Sequence, residues 1–316
     1  MNILVTAIGS FSAECVISTL KSHQHKVVGC DIYPPIWHYV SKLCDNVYQA
    51  PYATEEQAYI HFLVDCCKKE QLDAILPLTD LEIDVLNNNR QFFDKENIQL
   101  LMQAPNCLTI ARDKMAMYDL FINDPHINVP TSCHSTKLKP NFPIPAIAKP
   151  TNGRSSEGLM RITDPKQFDL VIDKDNYIIQ EMIPGTVYTV DYVRDNQGND
   201  FAIPREELLR TKNGAGTTVR IIANTSLQKA ASYIGAKLNI IGCVNMEFIA
   251  NKDNFYLIDI NPRFSAGIAF THKIGFDVVT NHLRALTGQT ICAPINFKEQ
   301  IICKHYQETV LWTRPD

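Results

Sequence analysis

One stretch limits the fold of this chain more than any other: CVNMEFIANKDNFYLIDINPR, at residues 243–263. Apolar and polar residues alternate in both of its halves, which is typical of half-buried β-strands. Between the halves, residues 251–254 read Asn-Lys-Asp-Asn, and these residue types favour a turn. The stretch therefore predicts a β-hairpin with one apolar and one polar face.

The polar face of this hairpin is a candidate metal site. Side chains in a strand repeat with a period of two, so Glu247 lies on the polar face of the first strand, and Asp259 and Asn261 lie on that of the second. An odd loop over residues 252–254 would set Glu247 opposite Asp259, whereas an even loop would set it opposite Ile258. We predict the odd loop. Two carboxylates and a carboxamide then suit Mg²⁺, although a solvated polar face would show the same alternation.

The end of the stretch carries a family resemblance. Pro262 ends the strand, and Arg263 follows it with a cation for anionic oxygen. The D-x-N-P-R pattern resembles the metal-binding signature of the ATP-grasp superfamily, usually E-x-N-x-R with a second acidic residue on the preceding strand. The resemblance implies that ATP binds with Mg²⁺, or with Mn²⁺ in its place, and that Arg263 is catalytic. The implied metal ligands are Glu247, Asp259 and Asn261.

Composition and charge exclude several classes of function. The net charge is −4 over 316 residues and no long run has one sign, which gives no support for binding to nucleic acid or to anionic membranes. No apolar stretch approaches the roughly 20 residues of a membrane span, and the first residues do not read as a signal peptide. The 10 cysteines are scattered without a C-x-x-C pair, as in reduced proteins. We therefore expect a cytoplasmic protein.

Residues 1–108 alternate strand-like and helix-like segments, which predicts an open parallel sheet. Gly9 after the first strand and Asp31 at the end of the second are compatible with dinucleotide binding. However, TAIGSFSAEC has one glycine where the G-x-G-x-x-G pattern has three. An alternative is that Asp80 and the turn at residues 9–11 line a pocket for a second substrate, or that they are only helix caps and turn formers.

Residues 145–162, PAIAKPTNGRSSEGLMRI, predict a strand that ends near Lys149, a loop rich in Gly and Ser, and a second strand. The backbone N–H groups of such a loop can face a polyphosphate, and the lysine adds a point charge. The pattern resembles the phosphate lid of ATP-grasp proteins, in which a lysine from the preceding helix also points at the phosphates. It implies four phosphate-binding residues: Lys114, Lys149, Ser155 and Ser156. The alternatives are an ordinary hairpin loop and a solvated lysine.

Residues 177–193, YIIQEMIPGTVYTVDYV, read as a strand, a Pro-Gly turn and a second strand. This pattern resembles the ATP-grasp hinge that binds adenine through its backbone. It implies adenine contacts from consecutive residues: Gln180, Glu181, Met182 and Ile183. The ribose-binding Glu of many family members is replaced here by Val187, so Asp191 is the candidate for the ribose.

Residues 201–222, FAIPREELLRTKNGAGTTVRII, contain a flexible Asn-Gly-Ala-Gly loop between two strand-like runs. In the enzymes that this chain resembles, an arginine-bearing strand and a mobile loop meet the acceptor carboxylate or the transferred phosphate. Arg205 and Arg220 are therefore candidate catalytic residues, with solvent-exposed surface cations as the alternative.

The order of these motifs resembles the ATP-grasp carboxylate–amine ligases, including carbamoyl-phosphate-synthase-like members. The implied fold is α/β and α+β: an N-terminal parallel sheet at 1–108, a lid subdomain at 109–185 and a metal-binding subdomain at 186–316. The implied enzyme activates a small carboxylate as an acyl phosphate and joins it to an amine or ammonia, and a homodimer is the usual assembly. The sequence leaves the acid and the amine open.

Three other functions stay open at this point. An ATP-grasp enzyme of the carbamoyl phosphate synthase type would phosphorylate bicarbonate or carbamate instead of an organic acid. A non-catalytic nucleotide-binding module would explain Val187 and the shorter Asp259. A dinucleotide-dependent dehydrogenase would use the parallel sheet of residues 1–108.

Overall fold

Three β-sheets form the framework of the protein. The structure is a computed structural model that describes residues 1–153, 157–252, 254–294 and 296–313. The first sheet is parallel and has the strand order β3-β2-β1-β4-β5. Its strands are β1 (Asn2–Val5), β2 (Lys26–Asp31), β3 (Asn46–Gln49), β4 (Ala74–Leu76) and β5 (Gln99–Leu100).

Helices flank this sheet and lead out of it. They are α1 (Ala13–Ser22), α2 (Glu56–Glu70), α3 (Asp80–Asn88), α4 (Arg90–Lys95), α5 (Pro105–Ala111) and α6 (Lys114–Phe121). A capping box between Thr79 and Glu82 fixes the start of α3, and the Asp113 side chain caps α6. These caps set the positions of Asp80 and Lys114, the first residues of the two helices.

The second sheet has four antiparallel strands in the order β6-β9-β7-β8. Its strands are β6 (Ser132–His134), β7 (Ala146–Pro150), β8 (Met160–Ile162) and β9 (Tyr177–Glu181). Apolar residues of β7, β8 and β9 form a small core of their own with Phe168 and Val171. This sheet therefore carries Lys149 on a strand with an independent core.

The third sheet has six antiparallel strands in the order β14-β13-β10-β11-β12-β15. Its strands are β10 (Thr186–Arg194), β11 (Asp200–Arg210), β12 (Gly216–Ile221), β13 (Gly242–Asn251), β14 (Asn254–Asn261) and β15 (Gln300–Cys303). Three helices accompany it: α7 (Thr225–Lys237), α8 (Ile268–Lys273) and α9 (Val278–Leu286). The apolar face of α7 packs against the β13–β14 hairpin.

The β13–β14 hairpin has the predicted pairing but not the predicted loop. Glu247 pairs with Asp259, whereas at the tip Asn251 pairs with Asn254, so two residues connect the strands instead of three. One of them, Asp253, lies outside the described residues. A bulge next to Glu247 absorbs the difference by inserting one residue into β14. The odd loop is therefore wrong, and the bulge gives the register that we derived from it.

The first and third sheets share one hydrophobic core. Residues of α1, such as Val16 and Ile17, pack with Val279 and Leu283 of α9 in the same cluster. The ends of the parallel strands are thereby held against the third sheet. The predicted fold class, an N-terminal parallel sheet followed by two α+β units, is confirmed, while the domain boundaries stay a prediction.

Candidate functional site

A cleft of about 460 Å³ lies between the second sheet and the third. Its wall includes side chains from β7, β9, β11, β13 and β14, together with Phe11 from the turn between β1 and α1. The cleft brings together ten of the residues predicted from the sequence. They are Lys114, Lys149, Gln180, Glu181, Ile183, Arg205, Glu247, Asp259, Asn261 and Arg263.

The two predicted metal-binding carboxylates each pair with a cation. Arg210 Nη2 donates to Glu247 Oε2 at 2.9 Å, and Lys114 Nζ lies 3.4 Å from Asp259 Oδ1. Burial raises the pKa of Glu247, and the nearby charge of Asp259 adds to this, while Arg210 acts in the opposite direction. Two carboxylates in close proximity are more stable when a cation lies between them, and the two side chains therefore form a site for positive charge.

The donor set fits Mg²⁺ better than a transition metal. Asn261 adds a carboxamide beside the two carboxylates, and its Oδ1 lies 3.4 Å from Arg263 Nη2. Within the described ranges, no group of three or more His, Cys, Asp or Glu side chains has a metal-binding arrangement. Oxygen ligands that are few in number suit Mg²⁺, because this ion keeps several waters and takes others from phosphate. The residues present therefore fit the ion that the family pattern implies.

Two lysines form the phosphate end of the cleft. Lys114 is 7 % exposed, and its Nζ donates to the carbonyl of Gly153 at 2.8 Å. Lys149 Nζ donates to Gln180 Oε1 at 3.0 Å. Burial and the charge of Lys114 lower the pKa of Lys149 to about 8, although Asp259 and Glu247 oppose the shift. The two predicted serines, Ser155 and Ser156, lie outside the described residues.

The predicted adenine-binding residues differ in whether their backbone N–H groups already have partners. The N–H of Glu181 donates to Thr131 O, and that of Met182 donates to Pro145 O at 3.0 Å. Met182 is also absent from the described wall of the cleft, so its backbone N–H is not the adenine donor that we predicted. Ile183 does line the cleft, and none of the hydrogen bonds between described residues uses its N–H.

Asp191 does not bind the ribose. Its side chain is fully buried, and its Oδ2 accepts from Arg205 Nη1 at 2.6 Å and from Thr271 Oγ1 at 2.6 Å. The prediction is wrong because Asp191 lies behind Arg205 instead of in the wall of the cleft. Val187, which replaces the usual ribose-binding Glu, does line the cleft.

Arg205 reaches the cleft but is fixed on all sides. It is 1 % exposed, and besides Asp191 it donates to Glu207 Oε1 at 3.3 Å and to Ser265 Oγ at 3.0 Å. Burial opposes its charge, but the carboxylates of Asp191 and Glu207 outweigh this and raise the pKa of Arg205. Its charge is largely neutralised by these partners, which makes it a residue that shapes the site.

Arg220 is not part of the cleft. Its side chain is 48 % exposed and lies 3.2 Å from Glu206, the residue opposite it on β11. Successive residues of a strand face opposite sides, so Glu206 points away from the cleft that Arg205 and Glu207 line. The prediction of a catalytic role for Arg220 is wrong for this reason.

Arg210 lines the cleft although it was not among the predicted site residues. It follows Arg205 by five positions, which would place the two on opposite faces of a regular strand. Irregular pairing of β11 with β12 on both sides of Leu209 brings Arg210 back to the cleft, where it contacts Glu247. The flanking glycines of the 213–216 loop were the only signal of such an irregularity in the sequence.

Arg263 connects the cleft with the N-terminal sheet. Its Nη2 donates to Asp80 Oδ2 at 2.8 Å, and Asp80 is 2 % exposed. Burial opposes the ionisation of Asp80, but Arg263 and Arg112 outweigh it and hold the pKa of Asp80 below its usual value. The sequence left open whether Asp80 lines a substrate pocket or only caps a helix. In the structure, Asp80 fixes the direction of the Arg263 guanidinium.

Two family models match the chain at the positions that the geometry singles out. One describes an ATP-grasp domain and matches residues 111–267, which include both lysines and the whole hairpin. The chain belongs to the ATP-grasp superfamily. The other model describes a PylC-like N-terminal domain and matches residues 3–101, the region of the parallel sheet. The ATP-grasp family predicted from the sequence is confirmed.

Curated relatives of this ATP-grasp protein are carbamoyl phosphate synthases. The large chain from Thermoplasma volcanium is 23% identical over 291 residues, which are 83% of this chain and 27% of the relative. The arginine-specific large chain from Bacillus subtilis is 21% identical over 271 residues, which are 79% of this chain and 25% of the relative. The chain therefore spans about a quarter of the length of these relatives.

Solved structures with the same fold are biotin carboxylases. The β-γ-ATP complex of biotin carboxylase from Campylobacter jejuni has a TM-score of 0.78 at 16% identity and covers 96% of this chain and 75% of its own. A biotin carboxylase domain dimer from Hydrogenobacter thermophilus, with MgADP and bicarbonate, has a TM-score of 0.77 at 17% identity over 96% and 74% of the two chains. In the described part of our ATP-grasp protein, no helix has the length and apolar character needed to cross a membrane.

Proposed function

We propose that this protein is a ligase that activates a small-molecule carboxylate with ATP and joins it to an amine or to ammonia. The observation that carries the proposal is the shared cleft of the hairpin and the lysines. Glu247 and Asp259 face each other across the hairpin, and Lys114, which contacts Asp259, also contacts the loop after Lys149. Negative oxygen ligands and cations arranged in this way suit a metal-bound triphosphate.

The residues of the cleft have separate tasks in this proposal. Lys114 and Lys149 bind phosphate oxygens, and the backbone of Ile183 contacts adenine. Glu247, Asp259 and Asn261 would hold Mg²⁺, or Mn²⁺ in its place, which when bound offsets the charge of the β- and γ-phosphates. The Arg210 guanidinium is 2.9 Å from Glu247, and with that carboxylate holding Mg²⁺ it would be free to bind a phosphate oxygen.

Arg263 acts at the transferred phosphoryl group. A carboxylate oxygen of the substrate attacks the γ-phosphorus, and the bond from that phosphorus to the bridging oxygen breaks to release ADP. Arg263, held in position by Asp80, stabilises the charge on the phosphoryl oxygens during this transfer. The amine nitrogen then attacks the acyl carbon and forms a C–N bond. The bond between that carbon and the phosphate oxygen breaks, so phosphate leaves, and the amine nitrogen loses a proton. Positioning and charge account for the rate.

The test is a screen for ADP and phosphate release. The full chain is incubated with ATP and Mg²⁺ against amino acids, dicarboxylates and ammonia, alone and in pairs. We expect release that depends on one acid and one amine together, and an amide product in equal amount. Release that stays at the background rate with every pair would contradict the proposal. We also propose a cytoplasmic homodimer, which gel filtration with light scattering tests.

Phosphorylation of bicarbonate or carbamate is a second candidate function. The relatives that favour it are the carbamoyl phosphate synthase large chains and the biotin carboxylase structure with bicarbonate. The two candidates differ in the acid that ATP activates. ADP release that requires bicarbonate and is unaffected by every organic acid would support this candidate and exclude the first.

A further inference from the structure

A second cavity, of about 360 Å³, lies in the N-terminal part of the protein, away from the cleft. Its walls are the segments that follow the carboxyl ends of β1, β2, β3 and β4. In the strand order β3-β2-β1-β4-β5, strands β1 to β3 are added toward one edge of the sheet, and β4 and β5 are added toward the other. The order therefore reverses between β1 and β4. Ligands of open parallel sheets bind at such a reversal, outside the carboxyl ends of the strands. We call this cavity the N-terminal pocket.

The N-terminal pocket carries acidic side chains, whereas the cleft carries both cations and carboxylates. Asp31 is 7 % exposed and Glu82 is 8 % exposed, and both carboxylates line the pocket. No lysine or arginine is among the described residues of its wall. The wall also includes the imidazole of His38, whose Nε2 lies 3.3 Å from Asp31 Oδ1. A phosphate or carboxylate would therefore be repelled here, whereas an N–H donor or an ammonium group would be attracted.

The two carboxylates have defined positions. Asp31 Oδ2 accepts from the N–H of Gly9 at 2.8 Å, and Asp31 Oδ1 accepts from the N–H of Tyr33 at 3.1 Å. A carboxylate offers about four acceptor positions, so Asp31 can accept a further donor from a ligand. Glu82 accepts from Tyr59 Oη and from the N–H and hydroxyl of Thr79, and these bonds fix it as part of the pocket wall.

Aromatic side chains give the N-terminal pocket a flat apolar wall. Tyr33, Tyr52 and Tyr59 line it together with the His38 ring. Tyr33 and Tyr52 are 48 % and 54 % exposed, so their rings are accessible to a ligand. The His38 ring packs directly on Gly9, where a Cβ atom would lie 2.7 Å from His38 Cε1. A glycine at position 9 therefore leaves room for the His38 ring in the pocket wall.

We infer that the N-terminal pocket binds a small amine that carries an aromatic ring and has no phosphate or carboxylate group. The ring lies against Tyr33 and Tyr52, and the amine donates to Asp31. This site is distinct from the cleft and is connected to it through α3. The first turn of α3 gives Thr79, Leu81 and Glu82 to the pocket, while Asp80, between them, binds Arg263.

The experiment measures binding of three indoles to the full chain by calorimetry. Tryptamine, tryptophol and indole-3-acetate share one ring and differ in carrying an ammonium, a hydroxyl or a carboxylate. We expect tryptamine to bind with a dissociation constant of about 1 mM or lower, and indole-3-acetate to bind at least about tenfold more weakly. Saturating ATP should leave the tryptamine affinity unchanged, because adenine occupies the cleft.

Matched variants locate the site. Tyr52→Ala removes an exposed ring from the pocket wall and should weaken tryptamine about fivefold without loss of fold. Tyr306→Ala removes a ring of similar exposure, 64 %, from a different part of the surface and should have no effect. The inference is overturned if indole-3-acetate binds as tightly as tryptamine, if none of the three binds at millimolar concentration, if ATP displaces tryptamine, or if both variants behave alike.

Discussion

Two arginines of β11 face the same cleft and differ in almost everything else. Arg205 is 1 % exposed and has three side-chain partners, Asp191, Glu207 and Ser265. Arg210 is more exposed, and its ion pair is with Glu247 alone among the carboxylates of the described residues. Arg205, whose charge is balanced by buried carboxylates, belongs to the framework of the site. Arg210, whose one carboxylate partner is also a proposed metal ligand, is available to a bound ligand.

The first prediction concerns stability and has the largest expected effect. Arg205→Ala leaves Asp191 and Glu207 buried without their cation, so we expect a loss of about 3–5 kcal/mol in the free energy of unfolding. Arg210→Ala is the matched control, with an expected loss of about 1 kcal/mol or less because its ion pair is partly exposed. Urea denaturation measures both. Equal losses would mean that the two arginines do not differ in the way described.

The second prediction concerns catalysis. Arg263→Ala should lower the turnover of the ligase reaction by roughly 10²–10³, because a preorganised charge near the transferred phosphoryl group is lost. Nucleotide affinity should change little, since the phosphates keep both lysines. Arg263→Lys keeps the charge without the planar guanidinium that Asp80 holds in position, and should recover part of the rate. Full turnover in the alanine variant would remove Arg263 from the catalytic step.

The third prediction uses the lowered pKa of Lys149, about 8. The lysine is charged below that pH and loses its proton as the pH rises through it, so the affinity for ATP should fall about tenfold between pH 7 and pH 9. Lys149→Arg keeps its charge over this range and should bind ATP with little dependence on pH. Calorimetry at several pH values compares the two. Parallel pH curves would show that Lys149 does not contact the nucleotide.

The fourth prediction is the smallest effect. Arg220→Ala removes an exposed cation that pairs with Glu206 on the outer face of the sheet. We expect less than about twofold change in turnover and less than about 0.5 kcal/mol in stability. A large loss of turnover with normal stability would make Arg220 a candidate catalytic residue again. It would also contradict the assignment of Arg220 to the face of the sheet that points away from the cleft.

The hairpin was predictable because its constraints are local. The alternation of residues 243–263 gave the two strands and the facing of Glu247 and Asp259. The bulge that sets this register was not predictable, since it depends on how β14 packs: Leu257 and Ile260 both lie in the core, which a regular strand does not allow for residues three apart. The predicted pairing of Glu247 with Asp259 was correct, but a bulge in β14 produces it instead of an odd loop.

Long-range contacts explain some of the errors. Asp191 was expected at the ribose, but its partner Thr271 is distant in sequence, and no local pattern indicates that the pair will enclose Arg205. The bond from Arg263 to Asp80 likewise joins residues that are 183 positions apart. The odd loop and the position of Arg210 depend on local irregularities instead, because alternation gives the face of a residue only while the strand stays regular.

The most direct test of the central claim, that the hairpin carboxylates and the lysines bind one metal nucleotide, is a calorimetric titration with ATP. It is made with and without Mg²⁺ on the native chain and on Glu247→Gln/Asp259→Asn. We expect Mg²⁺ to tighten ATP binding to the native chain at least about tenfold and to have no such effect on the double variant. An equal effect of Mg²⁺ on both proteins would contradict the account.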